Sequence, residues 1–155
     1  MNIQIKRATE IDSKNIATWK YDGIYSFYDN NRTEGKKEWA SNIYKDENVF
    51  GIYNEKNELI GNCCFDRDED DNQFYFGIQM RPDLTGKGLG KEVLEVVLEF
   101  GRKKYNLEKI KLLVAKFNER AIKVYERLGF KVREEFVWNV NGGEYEFVEM
   151  EMSWE

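Results

Sequence analysis

Between Gln73 and Ala115 the pattern changes three times, and those changes constrain the fold more than any other feature. Gln73–Met80 reads as a strand. The turn Thr85-Gly86-Lys87-Gly88-Leu89-Gly90 follows, then a helical pattern over Gly88–Tyr105 with Leu89, Val93, Val96/Val97 and Phe100 spaced by three and four. Ile110–Ala115 is a near-continuous apolar run, expected to be a central strand covered on both faces. A strand, a helix and a second buried strand make a right-handed crossover, so part of the sheet must be parallel.

Around that unit the elements fall in a definite order. Ile3–Arg7 alternates like a strand. Ile11–Trp19 and Glu34–Tyr44 read as helices, with Ile11, Asn15/Ile16 and Trp19, then Trp39 and Ile43, at helical spacing. Asn48–Tyr53 and Leu59–Asp66 read as strands about the polar turn NEKNE. The acidic stretch Asp66–Asp71 reads as a solvated hairpin loop, and Arg81-Pro82 should end the fourth strand. Asn118 is placed to cap a helix carrying Ala121, Ile122, Tyr125 and Leu128 that stops at Gly129. Lys131–Val140 and Glu144–Met152 flank NGG, a hairpin signal. The expectation is an α/β chain of order βααβββαβαββ, one domain over residues 1–155, with a mixed sheet.

Composition excludes several chemistries. The chain has 155 residues and no histidine, so triads with a histidine base are ruled out; acid–base work falls to carboxylates, Tyr, Lys, Cys or water. The adjacent Cys63 and Cys64 point to opposite faces of a strand, which argues against a disulfide between them, and too few ligands accompany them for a zinc site. They are read as ordinary thiols, and no metal is expected. A net charge of −5 argues against nucleic acid as the main partner. No apolar run approaches the roughly 18 residues of a membrane span, and MNIQIKRATE alternates rather than forming a leader, so a cytoplasmic, membrane-free protein is expected.

The glycine turn carries the strongest functional signal. The first N–H groups of a helix lack internal partners and lie at the positive end of its dipole. Glycines there remove side chains that would hold a phosphate off, and Lys87 and Lys91 add charge, so the turn is read as a pyrophosphate site. Lys91 is followed by Glu92, which breaks the P-loop pattern, and G-x-G-x-G after four strands is a poor dinucleotide fingerprint. From the glycines alone a helix start without ligand and a nucleotide site both stay open.

A second stretch, NERAIKVYERLGF from Asn118 to Phe130, narrows the choice. Together with Thr85–Gly90 it resembles the GNAT superfamily of acetyl-CoA-dependent N-acetyltransferases. The pyrophosphate motif of that family, [Q/R]-x-x-G-x-[G/A], is similar to Thr85–Gly90, with Thr85 in place of Gln or Arg. Its second motif matches Asn118, Ala121, Tyr125 and Gly129-Phe130. The resemblance runs over about Gln73–Val132 and implies a GNAT fold whose fourth and fifth strands splay apart.

What the resemblance implies is specific. Acetyl-CoA is the cosubstrate, with pantetheine beside the backbone of Ile78, Gln79 and Met80. The amides from Lys87 to Lys91 hold the pyrophosphate: Lys87, Gly88, Leu89, Gly90 and Lys91, next to Thr85 and Gly86. Asn118 contacts the cofactor arm as well as capping its helix. Tyr125 is the expected general acid, protonating the CoA thiolate, since a phenol of pKa near 10 keeps its proton at pH 7. Ribosomal-protein alanine acetyltransferases of this superfamily use a Glu on the fifth strand; Leu113 stands there. Asp22, Asp29 or water held by the fourth strand are the substitutes for that base. The stretch YDGIYSFYDNN sits where such proteins build the acceptor pocket, so Tyr25, Tyr28 and Asp29, with Tyr21 and Phe27, are candidates to bind the amine. The expected activity is acetyl transfer to a primary amine of a small molecule or a peptide N-terminus. The alternative is an acyl-CoA-binding sensor on the same fold. The C-terminal EYEFVEMEMSW is expected to offer strands for pairing across a homodimer.

Overall fold

The structure is a computed structural model that describes residues 2–154. Its element order is β1 (Gln4–Arg7), α1 (Glu10–Ile16), a 3-10 turn (Gly23–Tyr28), α2 (Glu34–Ser41), β2 (Val49–Tyr53), β3 (Leu59–Arg67), β4 (Phe74–Met80), α3 (Gly90–Tyr105), β5 (Lys109–Ala115), α4 (Glu119–Arg127), β6 (Lys131–Val140) and β7 (Gly143–Ser153). Short 3-10 turns at Ile43–Lys45 and Pro82–Leu84 complete it. Strands and helices thus follow the βααβββαβαββ order expected from the pattern.

The sheet has seven strands in the order β1-β2-β3-β4-β5-β7-β6. β1, β2 and β3 pair antiparallel, as do β5, β7 and β6. β4 and β5 are parallel and share one register pair, Tyr75 with Lys111. The chain divides into two compact units: residues up to Cys64 with Ile78–Leu89, and Phe65–Gly77 with residues from Gly90 onward.

In the first unit Ala8, Ile16, Trp19, Ile43 and Val49 form a buried cluster, with Tyr21, Leu59 and Cys64 packed against it. A capping box starts α1: Thr9 accepts from the Asp12 amide at 3.0 Å and its own amide donates to Asp12 Oδ2 at 3.4 Å. Two expected core positions are corrected. Ile11 and Trp39 are exposed, at 73% and 47%, while Ser13, Ile16, Ala40 and Ile43 are buried. Ile11 and Ile16 stand five residues apart, about 140° around a helix of 3.6 residues per turn, so one stripe cannot hold both. Helix α1 stops at Ile16, and Trp19 is buried from the turn that follows. Helix α2 stops at Ser41, so Ile43 lies in the next 3-10 turn and Trp39 loses its helical neighbour.

In the second unit α3 buries Val93, Leu94, Val97, Leu98 and Gly101. It begins at Gly90, two residues later than the pattern suggested. Phe65 is fully buried among Phe76, Phe100 and Tyr105, with centroids 6.4, 6.3 and 5.3 Å away. The expectation that β5 is covered on both faces is corrected. Ile110, Leu112 and Val114 are buried, but Leu113 is 36% exposed, so the strand alternates despite its apolar sequence. β3 runs on through Asp66 and Arg67, so the acidic loop begins two residues late, at Asp68. There Asp68 and Asp71 accept backbone bonds from Asp70 and Gln73, both at 2.9 Å. The hairpin between β6 and β7 turns on Asn141 and Gly142, both left-handed at φ 54° and 78°, with Val140 opposite Gly143. β7 lies between β5 and β6, and its stretch Phe147–Glu151 is paired on both sides, so that stretch has no edge to offer a second copy; the outer strands are β1 and β6.

Candidate functional site

The glycine turn is reached through a braced exit from β4. Arg81 donates from Nε to Asp83 Oδ1 at 2.6 Å and from Nη2 to Oδ2 at 3.1 Å, while Nη1 reaches the Leu59 carbonyl at 2.9 Å. This fork holds the Asp83 carboxyl below its ordinary pKa, chiefly through the hydrogen bond from Arg81. The Arg81 amide also donates to the Ile60 carbonyl at 2.8 Å, keeping the end of β4 on β3. Gly61 allows that approach, because a Cβ there would meet the Gln79 carbonyl at 2.7 Å. Pro82–Leu84 then turns the chain, and the Thr85 hydroxyl donates to the Pro82 carbonyl at 2.9 Å. The Thr85 hydroxyl proton is therefore used within the turn, whatever else that residue meets.

Gly86 and Gly88 are left-handed, at φ 71° and 76°, and Lys87 between them is not. Left-handed residues of this kind occur in anion-binding backbone nests. Gly86, Lys87 and Gly88 are exposed, and a Cβ on Gly88 would meet nothing within 4 Å. The exposed glycine backbone, with Lys87 beside it, fits a pyrophosphate. Gly90 differs: its φ is not positive and the space around it is open, so nothing in the structure requires glycine there. Lys91, in the first turn of α3, lies 3.9 Å from Glu95 on an exposed face.

Ile78, Gln79 and Met80 form the end of β4. The Met80 carbonyl accepts from the Tyr21 hydroxyl at 2.5 Å. Burial first, and then Asp29, push that phenol well above its ordinary pKa, so Tyr21 stays a protonated donor. Its backbone N–H donates to Asp29 Oδ1 at 2.7 Å. Tyr25, Tyr28 and Asp29 are each half-buried in the same connection between α1 and α2. Next to them Lys36 is held below its ordinary pKa, mainly by burial, with Asp29 acting in the opposite sense.

Asn118 and Tyr125 lie in the second unit. Asn118 Oδ1 accepts from the Ala121 amide at 3.3 Å, so it caps α4 as expected. The Tyr125 ring is half-buried, edge-on to Phe76 at 6.3 Å and to Phe130 at 5.7 Å. Gly129 follows at φ 107°, a left-handed stop that seats the buried Phe130. Leu113 has Glu149 as its cross-strand partner.

Sequence reasoning missed the polar side chains that hold these pieces. Asn30 and Asn62 are buried, and both bond to Gln79. The visible signal was a lone amide inside an apolar strand, in LIGNCC and in FGIQM. Also missed was a group centred on Glu149, which accepts from the Tyr75 hydroxyl at 2.8 Å and lies 3.8 Å from Lys111, itself 3.9 Å from Asp71. Among the described residues no group of three or more His, Cys, Asp or Glu is placed to hold a metal ion, and no helix is long and apolar enough to cross a membrane.

Comparison with known proteins decides the family. A family model described as the acetyltransferase (GNAT) family matches residues 14–130. The chain belongs to the GNAT acetyltransferase family. Among curated relatives, a spermidine N(1)-acetyltransferase of Escherichia coli K12 is 39% identical over 62 residues, 40% of this chain and 33% of that protein. An uncharacterized SPbeta prophage-derived N-acetyltransferase, YokL of Bacillus subtilis 168, is 30% identical over 96 residues, 61% of this chain and 54% of that protein. The chain thus spans between a third and about half of the length of these relatives. Solved GNAT structures share its fold. A spermidine N-acetyltransferase SpeG chimera from Vibrio cholerae and hSSAT superposes with TM-score 0.80 at 22% identity, covering 99% of this chain and 96% of that one. A GNAT-family acetyltransferase from Bacillus anthracis gives 0.77 at 16% identity, covering 99% and 95%.

Proposed function

We propose that this chain is an N-acetyltransferase that moves an acetyl group from acetyl-CoA to a primary amine of a small cationic molecule, a polyamine being the first to test. The family match across residues 14–130 carries the reading. In it, residues 1–155 act as one GNAT domain. Acetyl-CoA supplies the activated thioester. The chain's own residues bind, orient and move protons. The backbone of Thr85–Lys91, with left-handed Gly86 and Gly88, holds the pyrophosphate. The backbone of Ile78, Gln79 and Met80 orients the acyl arm, and Asn118 adds a contact from the cap of α4.

Tyr125 holds the proton that the leaving thiolate takes. A phenol keeps that proton at neutral pH, and the edge-on contacts with Phe76 and Phe130 fix its ring. The acceptor lies against the connection between α1 and α2, where Tyr25 and Tyr28 offer ring faces and Asp29 a carboxylate to an ammonium group. A net charge of −5 favours the approach of a cation. The polyamine class is supported by the names of the Escherichia coli relatives and by this charge.

The test has two steps. Thermal stabilisation is measured with acetyl-CoA, CoA, ATP and NAD, where a ligand at about 100 times its dissociation constant adds roughly 2.7 kcal/mol. Thiol release is then followed with spermidine, spermine, an aminoglycoside and a peptide N-terminus. Stabilisation by both CoA forms and turnover of spermidine are expected. Stabilisation without turnover of any amine would leave an acyl-CoA sensor, and a shift only with ATP or NAD would remove the acetyltransferase reading.

A further inference from the structure

Gln79 lies on β4, and its side-chain amide has partners on both ends. Its Oε1 accepts from Asn30 Nδ2 at 2.8 Å and from Asn62 Nδ2 at 3.2 Å. Its Nε2 donates to the Tyr28 carbonyl at 3.1 Å and to Asn30 Oδ1 at 3.3 Å. The partners fix the orientation, since turning the amide over would set donor against donor and carbonyl against carbonyl. Asn30 is 2% exposed and donates its other amide proton to the Ile16 carbonyl at 2.7 Å, while its backbone N–H goes to the Trp19 carbonyl at 3.3 Å. One residue later on β4, the Met80 carbonyl takes the Tyr21 hydroxyl. The connection between α1 and α2 is therefore fastened to β4 at two successive residues, near its start through Tyr21 and near its end through Tyr28 and Asn30. Between those fastenings lies Tyr25, with Asp29 held to the Tyr21 amide.

We propose that the Gln79 side chain is a positioning residue for the acceptor: it locks the Tyr21–Asn30 segment onto β4 and thereby sets amine affinity, leaving acyl-donor binding to the β4 backbone. This rests on the proposed acetyltransferase activity with its acceptor at that segment. The reasoning is geometric. Tyr28 is tied to Gln79 by its backbone carbonyl, so this bond helps to place its ring, which packs edge-on against Phe27, and the adjoining Asp29, whose carboxylate also takes the Tyr21 amide. Asn62 bonds to the same Oε1 from β3 and touches nothing in the segment among its described bonds, so it separates loss of this fastening from general loss of packing.

The experiment compares Gln79→Leu, Gln79→Glu and Asn62→Ala with the parent chain. Steady-state kinetics with spermidine varied at saturating acetyl-CoA, then the reverse, give both KM values and kcat. Backbone hydrogen exchange over residues 21–30 gives a readout that needs no turnover. Both Gln79 variants are expected to raise the amine KM at least tenfold, keep the acetyl-CoA KM within about twofold, and speed exchange at Tyr28–Asn30 at least tenfold. Asn62→Ala is expected to lower the melting temperature with little change in amine KM or in that exchange. Equal shifts in both KM values, the same change from Asn62→Ala, or unchanged exchange in Gln79→Leu would overturn the proposal. If the parent acetylates no amine, the activity reading falls, while the exchange data still decide whether Gln79 holds the segment. Should Gln79→Leu fail to fold, Gln79→Glu keeps the shape and Oε1 and removes the donor to Tyr28.

Discussion

Leu113 on β5 stands directly opposite Glu149 on β7, and the Glu149 carboxylate accepts the Tyr75 hydroxyl at 2.8 Å. The resemblance to ribosomal-protein alanine acetyltransferases implies a glutamate where Leu113 stands, so Leu113→Glu is the obvious attempt to add a base. It would place a second carboxylate beside Glu149. Lys111 is the near cation, and it is already shared between Glu149 and Asp71 at 3.8 and 3.9 Å. Like charges directly opposite cost up to about 1 kcal/mol. The expected outcome at pH 7 is a melting temperature lower by roughly 2–4 °C. Repulsion raises the carboxyl pKa in the folded state above its unfolded value, so the folded chain binds the extra proton more readily. The deficit should therefore shrink as pH falls through the carboxylate range. Melting curves of parent and variant from pH 7 to pH 4 check it, and a deficit that grew toward acid would refute the charge argument.

Tyr125→Phe separates the chemistry from the packing. The ring contacts with Phe76 and Phe130, at 6.3 and 5.7 Å, need no hydroxyl, so the variant should keep them. A positioned acid contributes on the order of 10²–10⁴ in rate. Turnover is expected to fall tenfold or more while the acetyl-CoA dissociation constant stays within about twofold. Thiol-release kinetics with titration calorimetry check both halves, and unchanged turnover would take Tyr125 out of the proposed reaction.

Gly88 and Gly90, both exposed in the turn, should behave differently. Gly88 is left-handed at φ 76°, where a side chain costs about 1–2 kcal/mol, although no atom within 4 Å would obstruct it. Gly90 is not left-handed and begins α3. Gly88→Ala is expected to lower stability, and Gly88→Asp to weaken acetyl-CoA binding at least tenfold by bulk and charge. Gly90→Ala should be neutral or stabilising, by up to about 1 kcal/mol. Denaturant melts and calorimetry decide it; parental acetyl-CoA affinity in Gly88→Asp would place the pyrophosphate elsewhere.

These contrasts show where the sequence is legible. Strand and helix order follows from periodicity, and the hairpin at Asn141-Gly142 from turn chemistry, both of which are local. Helix phase is less secure. Ile11 and Trp39 are apolar and fall at helical spacing, yet the helices that carry them end at Ile16 and Ser41, and neither shares a face with the residues that are buried. The run Ile110–Ala115 hides the exposure of Leu113, since an apolar side chain does not announce which face it takes. The lone amide of FGIQM singles out Gln79 in the sequence, but its partners cannot be read there, because Asn30 and Asn62 are 49 and 17 residues away. Motif spacing points to Thr85–Gly90 and Asn118–Tyr125, while the fastening of the Tyr21–Asn30 segment depends on tertiary pairing.

Gly101 gives the sharpest stability test, because two principles oppose each other there. It lies inside α3, where glycine to alanine normally stabilises by about 1 kcal/mol. A Cβ at Gly101 would fall 2.2 Å from Phe65 Cε1 and 2.6 Å from Cζ. The Phe65 ring cannot easily yield, being fully buried and bounded by Phe76, Phe100 and Tyr105. Overpacking of this kind costs typically 1–3 kcal/mol, which exceeds the helix gain. Gly101→Ala is therefore expected to destabilise, by up to about 2 kcal/mol in denaturant unfolding. The double variant with Phe65→Leu should lose less than the sum of the single changes, since the smaller side chain makes room for the methyl group. A stabilised Gly101→Ala, or strict additivity in the pair, would mean that the helix and this ring do not pack as closely as the distances state.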